Sequence, residues 1–368
     1  MTEDLFQQLR KPENDSSLMN WISLSRVLGP GREHFTPADL LAYEAMDLDR
    51  RARFNEARVK FMAGGMIVKT DTISGLIRLF TKASLMNDGS LVGRRGVILS
   101  APASSGKSTA CVALMQYYLA SYEKENPGAI AEGTVPVIYV SIPATRTIKG
   151  TLQRIARFLA VPFKTSDTET DLAAMLQHVL PAVGTKLIVL DEVQMLRGAE
   201  STSRPAVNNL KDLTNYFEGT IVYSGVNLGE SGLLLGDAGL QLKRRVFNVN
   251  VSDFTGKMTA QKADEWVKVV GAFAKALPLY ATNPETLRAE AEWLHDYTGG
   301  SIGTLKAVLF DAAASLILQD EPRNECLTRA CLESSIRDYS AELGDTRVYP
   351  SAPLRGAAKR AKVFRTSV

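Results

Sequence analysis

Cysteine and histidine are scarce in this sequence, three of each in 368 residues. Cys111, Cys326 and Cys331 form no C-x-x-C pair, and His34, His178 and His295 are scattered. The spacing of a structural zinc site is therefore missing. An odd and sparse cysteine count argues against a disulfide scaffold and fits a reducing compartment, so a cytoplasmic location is expected. There is no stretch of 18 apolar residues, and no membrane span is expected. The N-terminal Met1-Thr2-Glu3-Asp4 is acidic and lacks the apolar run of a secretory signal. No internal repeat of solenoid length is visible. Charge is nearly balanced, at net +3 with pI near 8.6, so composition alone does not mark a nucleic-acid binder. With 45% hydrophobic and 23% charged residues the chain reads as globular, with material for one to three domains.

Chemistry concentrates at residues 96–109. Val97-Ile98-Leu99 has buried-strand character, and the small-residue loop Ser100-Ala101-Pro102-Ala103-Ser104-Ser105 leads into Gly106-Lys107-Ser108-Thr109. The stretch is close to the phosphate-binding loop G-x-x-x-x-G-K-[ST], with Ala101 where the first glycine usually sits. A tight loop of small residues points successive backbone N–H groups at phosphate oxygens, and the positive end of the following helix adds to the attraction. In such a loop Lys107 reaches the β- and γ-phosphates and Ser108 ligates Mg²⁺. A Gly/Ser-rich turn with a chance lysine is the plain alternative.

A second motif lies at Leu187-Ile188-Val189-Leu190-Asp191-Glu192, where an apolar strand delivers two adjacent carboxylates to its C-terminal end. Open α/β sheets bind ligands at that end. Asp191 is the candidate to hold Mg²⁺ and Glu192 the candidate to orient and deprotonate the attacking water. Either residue also suits an ordinary strand end. Together the two motifs point to ATP or GTP. Ser224 and Asn227, around the end of the strand Thr220–Ser224, are both candidates to contact the attacking water or the γ-phosphate, and a plain turn is the alternative for each. Arg244 and Arg245 precede the last strand; an arginine there can reach the γ-phosphate of a neighbouring subunit, or can belong to a surface basic cluster.

The remaining pattern gives the architecture. Thr36 reads as a helix cap with Pro37 in the first turn, before Leu40, Leu41 and Tyr43. Arg50, Arg51, Arg53 and Arg58 read as a solvated helix face. Thr70-Asp71-Thr72 caps a helix carrying Ile73, Leu76, Ile77 and Phe80. Strands are expected at 97–99, 135–142, 187–190, 220–224 and 246–251, alternating with helices at 106–123, 148–159, 170–180 and 207–217. Alternation of this kind predicts a parallel α/β sheet flanked by helices. Helical patterns alone follow, at 260–277, 284–297, 302–319 and 326–342. The expected division is an N-terminal extension (1–60), an α/β nucleotide-binding domain (61–254), a helical lid (255–345) and a flexible tail (346–368). In that tail six basic residues, Arg347, Arg355, Lys359, Arg360, Lys362 and Arg365, face no acidic one.

The order of phosphate loop, Asp191-Glu192, polar strand end, Arg244-Arg245 and helical lid resembles the AAA+ ATPases. More narrowly it resembles the TniB/TnsC-like transposition ATPases over roughly residues 50 to 335. That narrower resemblance is carried by Gly93–Ile98, Tyr139–Thr145, Asp191–Leu196, Leu210–Leu213, Tyr223–Gly225 and Thr298–Leu305. It implies ATP and Mg²⁺ as cofactors and a homo-oligomer, ring or filament, on double-stranded DNA. It also implies a transposase as partner and hydrolysis that disassembles or repositions the assembly. By the same resemblance Arg245, with Arg244 second, matches the trans-acting arginine, and Arg146, Thr147 and Lys149 face a DNA channel. Arg146 and Lys149 would then contact phosphates without reading sequence, or else simply solvate a helix N-terminus. Many AAA+ lids carry an arginine near residue 303; here that place holds Gly303, with Lys306 the nearest base. The competing readings are an ATPase switch in signalling or phage defence without DNA, and a DNA-binding scaffold that holds ATP and hydrolyses it weakly.

Overall fold

Val97-Ile98-Leu99, Val137–Val140, Leu187–Leu190 and Ile221–Tyr223 are short apolar runs rich in β-branched residues. Runs of this kind suit a sheet covered on both faces. In the computed structural model they form strands β1 (Gly96–Ser100), β2 (Val137–Ser141), β3 (Leu187–Asp191) and β4 (Thr220–Gly225), joined by the short β5 (Val246–Asn248). The structure describes residues 18–29, 38–64, 66–90, 93–142, 147–196, 217–228 and 236–342. All pairings are parallel and the strand order is β2-β3-β4-β1-β5. Register aligns Ser100 with Gly225 and Ser141 with Asp191, so these residues share the carboxyl end of the sheet. From β1 the chain goes on to β2, three places away; from β4 it goes on to β5 in the opposite direction. A reversal of this kind opens the crevice where such sheets hold ligands.

The helices are α1 (Trp21–Leu28), α2 (Leu40–Glu44), α3 (Leu48–Gly64), α4 (Asp71–Asp88), α5 (Lys107–Glu125), α6 (Ile148–Phe158), α7 (Glu169–Ala182) and α8 (Gly236–Lys243). They continue as α9 (Ala260–Ala276), α10 (Pro284–Ala289), α11 (Ala291–Thr298), α12 (Ile302–Leu318) and α13 (Arg329–Glu342). Their starts follow local chemistry. Thr168 and Asp171 close a reciprocal capping box at α7, Thr259 caps α9, and Ser301 caps α12. Thr70 Oγ1 accepts from Ile73 N at the start of α4, as the cap pattern predicts. Asp39 is the cap of α2; the expected Thr36-Pro37 start lies outside the described residues, as do the basic tail and residues 207–216 of the expected 207–217 helix, whose last residue, Phe217, is buried and not helical. A single helix is expected over 284–297, and two are found. They meet at Glu290, whose ψ of 5° breaks the helical path.

The contacts of the chain divide it into two units. One holds the sheet, with Gly75–Ala101, Lys107–Asn250 and α1. Its interior includes Ala110, Cys111, Leu114 and Leu119 of α5 and Ile148, Leu152, Ile155 and Ala156 of α6, at the 3.6-residue spacing of an apolar helix face. The other unit is helical. Among the described residues it holds those from Val251 to Glu342, residues 38–74 and Pro102–Gly106. Trp266, Val270, Phe273, Leu287, Leu294, Leu305 and Leu309 form its core with Met62 of α3.

The expectation of a solvated arginine face on α3 fails at Arg58. Its side chain is 1% exposed and pairs with the fully buried Glu325 through both guanidinium ends. It also donates to Pro278 O and to Asn55 Oδ1. Burial costs a charge heavily unless every donor is satisfied, and this network satisfies them. Arg53 and Arg50 are exposed as expected.

Candidate nucleotide site

Lys107 opens α5 directly after the loop. Its side chain is buried and its Nζ donates to Ala101 O at 3.1 Å. Burial pulls its ammonium below the ordinary lysine range, and Glu192 and then Asp191 act in the opposite direction. The two carboxylates thus offset part of the cost of burying the ammonium. Ser108, exposed on the next position, donates from Oγ to Asp191 Oδ2 at 3.3 Å.

Asp191 ends β3 and is 2% exposed. Its Oδ2 also accepts from the Tyr139 hydroxyl at 2.8 Å, and its Oδ1 accepts from Glu192 N at 2.9 Å. Three donors thus fix the carboxylate. Burial, with the Asp191 charge and hydrogen bond next, pushes the Tyr139 phenol above its usual range, so it stays a donor. Ser108 Oγ and Asp191 Oδ2 are hard oxygen donors on one spot, a pair that fits Mg²⁺.

Glu192 follows with φ of 58°, in the left-handed region that a non-glycine residue enters at a cost of roughly 1–2 kcal/mol. The 3₁₀ turn Val193–Leu196 begins there, with Met195 N bonded to Glu192 O at 2.8 Å. Gln194 on that turn donates from Nε2 to Glu192 Oε2 and accepts at Oε1 from Val226 N at 2.9 Å. Ala101 N bonds to Gly225 O at 3.2 Å and Leu228 N to Ser100 Oγ at 2.9 Å, which ties the ends of β1 and β4 together.

The two strand-end candidates are placed differently. Ser224 is fully buried in β4 beside Leu99, where its hydroxyl makes no hydrogen bond of standard geometry and lies near the Cys111 thiol. Asn227 is exposed in the turn after β4, with φ of 49°. Arg244 is exposed and Arg245 half-buried in the turn after α8, and Arg245 O accepts from Gly96 N at 2.9 Å. Thr147 caps α6 by accepting from Gly150 N, and Lys149 Nζ donates to Thr165 O at 3.1 Å. Arg146 lies outside the described residues.

In the helical unit, loop residues 102–106 are held by Ser105 Oγ donating to Pro102 O at 2.8 Å and by Gly303 N donating to Ser104 O at 2.9 Å. Positive φ falls on Ser104 (57°) and Gly106 (85°) and not on Ala101, so the missing first glycine is not needed for backbone reasons. A Cβ at Gly303 would meet Ser104 Cβ and O at 3.2 Å, which accounts for the small residue at this position of α12. The same unit has a pocket lined by Thr70, Ser252, Phe254, Glu265, Lys268 and Ile302, the residue before Gly303. Sequence reading singled out neither this pocket nor the roles of Tyr139 and Gln194. Tyr139 and Gln194 lie within the stretches that carry the family resemblance, but nothing in their spacing signals a contact.

The strand order, the loop after β1 and the carboxylate pair after β3 define a P-loop fold of the AAA+ kind. Residues 79–251 match the model of a family described as bacterial TniB protein. No curated protein matches it in sequence. Among solved structures it is similar to the Aeropyrum pernix ORC2 protein in its ADPNP-ADP complexes, at 14% identity and a TM-score of 0.51, over 86% of this chain and 72% of that one. It also matches the A. pernix ORC1 protein in complex with DNA, at 17% identity and a TM-score of 0.49. That alignment covers 74% of this chain and 65% of the ORC1 chain, so the chain spans just under two thirds of that relative. At this level of identity the ORC2 likeness bears on the fold.

Proposed function

We propose that the protein is an ATP-dependent regulator of DNA transposition. It oligomerises on double-stranded DNA as a ring or filament, marks a target for a transposase, and is released or repositioned by ATP hydrolysis in the cytoplasm. The observation that carries the chemical half is the convergence of Lys107, Ser108, Asp191 and Glu192 at the carboxyl end of β1 and β3. The match to the TniB family supports the DNA half.

Each residue has a part in this reading. Backbone N–H groups of Ala103–Thr109, in the loop that starts at Ala101, cradle the phosphates, and Lys107 neutralises β- and γ-oxygens. Ser108 and Asp191 would hold Mg²⁺, which supplies charge neutralisation at the phosphates when bound. Glu192 orients the attacking water and takes its proton. Asn227 contacts the γ-phosphate in this reading, supported by its exposure and by the burial of Ser224. Arg245, then Arg244, reaches the nucleotide of a neighbouring subunit, so assembly and hydrolysis depend on each other. Residues 61–254 form the nucleotide module and 255–345 the lid in this scheme. Arg146, Thr147 and Lys149, after β2, are the proposed DNA contacts, with the basic tail a second region for DNA or transposase.

Electron microscopy of the protein with duplex DNA and a non-hydrolysable ATP analogue tests the proposal. Rings or filaments on DNA that require the analogue are expected. Isolated protomers under those conditions would contradict it.

A further inference from the structure

Gln194 has no part in the scheme above, yet it touches two of its components. Its side-chain amide is used at both ends. Nε2 donates to Glu192 Oε2, and Oε1 accepts from Val226 N at 2.9 Å. A backbone N–H can only donate, so Val226 fixes the amide oxygen, and the NH₂ group must face the carboxylate. The approach depends on the glycine at the end of β4, since a Cβ at Gly225 would stand 2.3 Å from Gln194 Oε1. Glu192 itself is held in a left-handed backbone conformation, φ 58°, that local sterics disfavour. The next residue after Val226 is Asn227.

We infer that Gln194 is a positioning residue for hydrolysis: it aims the Glu192 carboxylate and couples it to the strand end that carries Asn227. This rests on the ATPase reading. Without the amide, Glu192 has a free rotamer choice in a half-buried position, and the water it must orient loses its fixed acceptor. With it, any shift of the Val226-Asn227 backbone is transmitted to the carboxylate through one rigid side-chain amide. The geometry therefore makes the general base responsive to what Asn227 touches.

Two substitutions separate this from a structural role. Gln194→Met keeps length and approximate volume and removes both hydrogen bonds. Gln194→Glu keeps the acceptor for Val226 N–H and replaces the donor with an oxygen that repels Glu192. For both, steady-state ATP turnover should fall by about tenfold or more. The Kd for a fluorescent ATP analogue should stay within about twofold, because uniform binding is untouched. In a Glu192→Gln background, Gln194→Met should cause no further loss in single-turnover hydrolysis, since residues acting as a unit are not additive. Wild-type turnover in Gln194→Met overturns the inference. So does a loss that is fully additive with Glu192→Gln, or a Kd that weakens in step with turnover. A wild-type protein with no turnover overturns the ATPase reading itself, and the wild-type control distinguishes that failure from the others.

Discussion

The Tyr139 hydroxyl donates to Asp191 Oδ2 at 2.8 Å, from one buried strand to the next. The same oxygen accepts from Ser108. Tyr139→Phe would leave that contact unmade while keeping the ring. A buried acceptor that loses a neutral donor costs about 1–3 kcal/mol. The variant should melt lower and should need more Mg²⁺ for half-maximal ATP turnover, because Asp191 is no longer aimed at Ser108. Thermal melting and a Mg²⁺ titration check this; an unchanged Mg²⁺ requirement would make Tyr139 a packing residue only.

Arg58 and Glu325 form a fully buried pair, and Arg58 also serves Pro278 O and Asn55. Removing one partner leaves an uncompensated charge, at a cost of about 3–5 kcal/mol. Arg58→Ala should therefore destabilise the helical unit by that amount in urea unfolding. Replacing both residues by apolar side chains of similar volume should recover much of the loss. Equal damage from the single and double replacements would contradict the pairing.

Burial pushes the Cys111 thiol from 9.0 up to about 12, and the Tyr43 phenol, chiefly by burial and by its bond to Asp320, from 10.0 to about 12. In the unfolded chain both ionise at the ordinary values while the folded chain keeps them neutral. Unfolding then releases protons, so stability is intact below pH 9 and declines between pH 9 and 12. Each pH unit above 9 over which Cys111 is ionised only in the unfolded chain costs about 1.4 kcal/mol. Urea midpoints at pH 8 and pH 10 should show the decline, smaller in Cys111→Ala. A midpoint drop of the same size in that variant would remove Cys111 from the cause.

Much of the fold was legible because its signals are local. The apolar runs Val97–Leu99 and Leu187–Leu190 became strands because short runs of branched residues suit a sheet buried on both faces, and Thr70, Thr168 and Ser301 mark helix starts by their own hydrogen bonds. The meeting of Lys107, Ser108 and Asp191 was legible for the same reason, since a motif encodes their spacing. What stayed hidden is long-range. Arg58 among acids on α3 reads as surface until Glu325, far along the chain, is brought to it. Gln194 reads as a turn residue until β4 supplies the Val226 N–H. Ser224 reads as available until the sheet covers it. In each case the deciding partner is set by tertiary packing, which spacing along the chain does not encode.

The proposed function rests on nucleotide-dependent assembly on DNA and assigns the nucleotide contact to Lys107. Binding of fluorescently labelled duplex DNA, read by anisotropy and by sedimentation with and without ATP, tests it most directly. Wild-type protein should form large DNA-bound species only with ATP, and Lys107→Ala should form none. Assemblies of the same size on DNA in Lys107→Ala, or in wild type without nucleotide, would contradict the account.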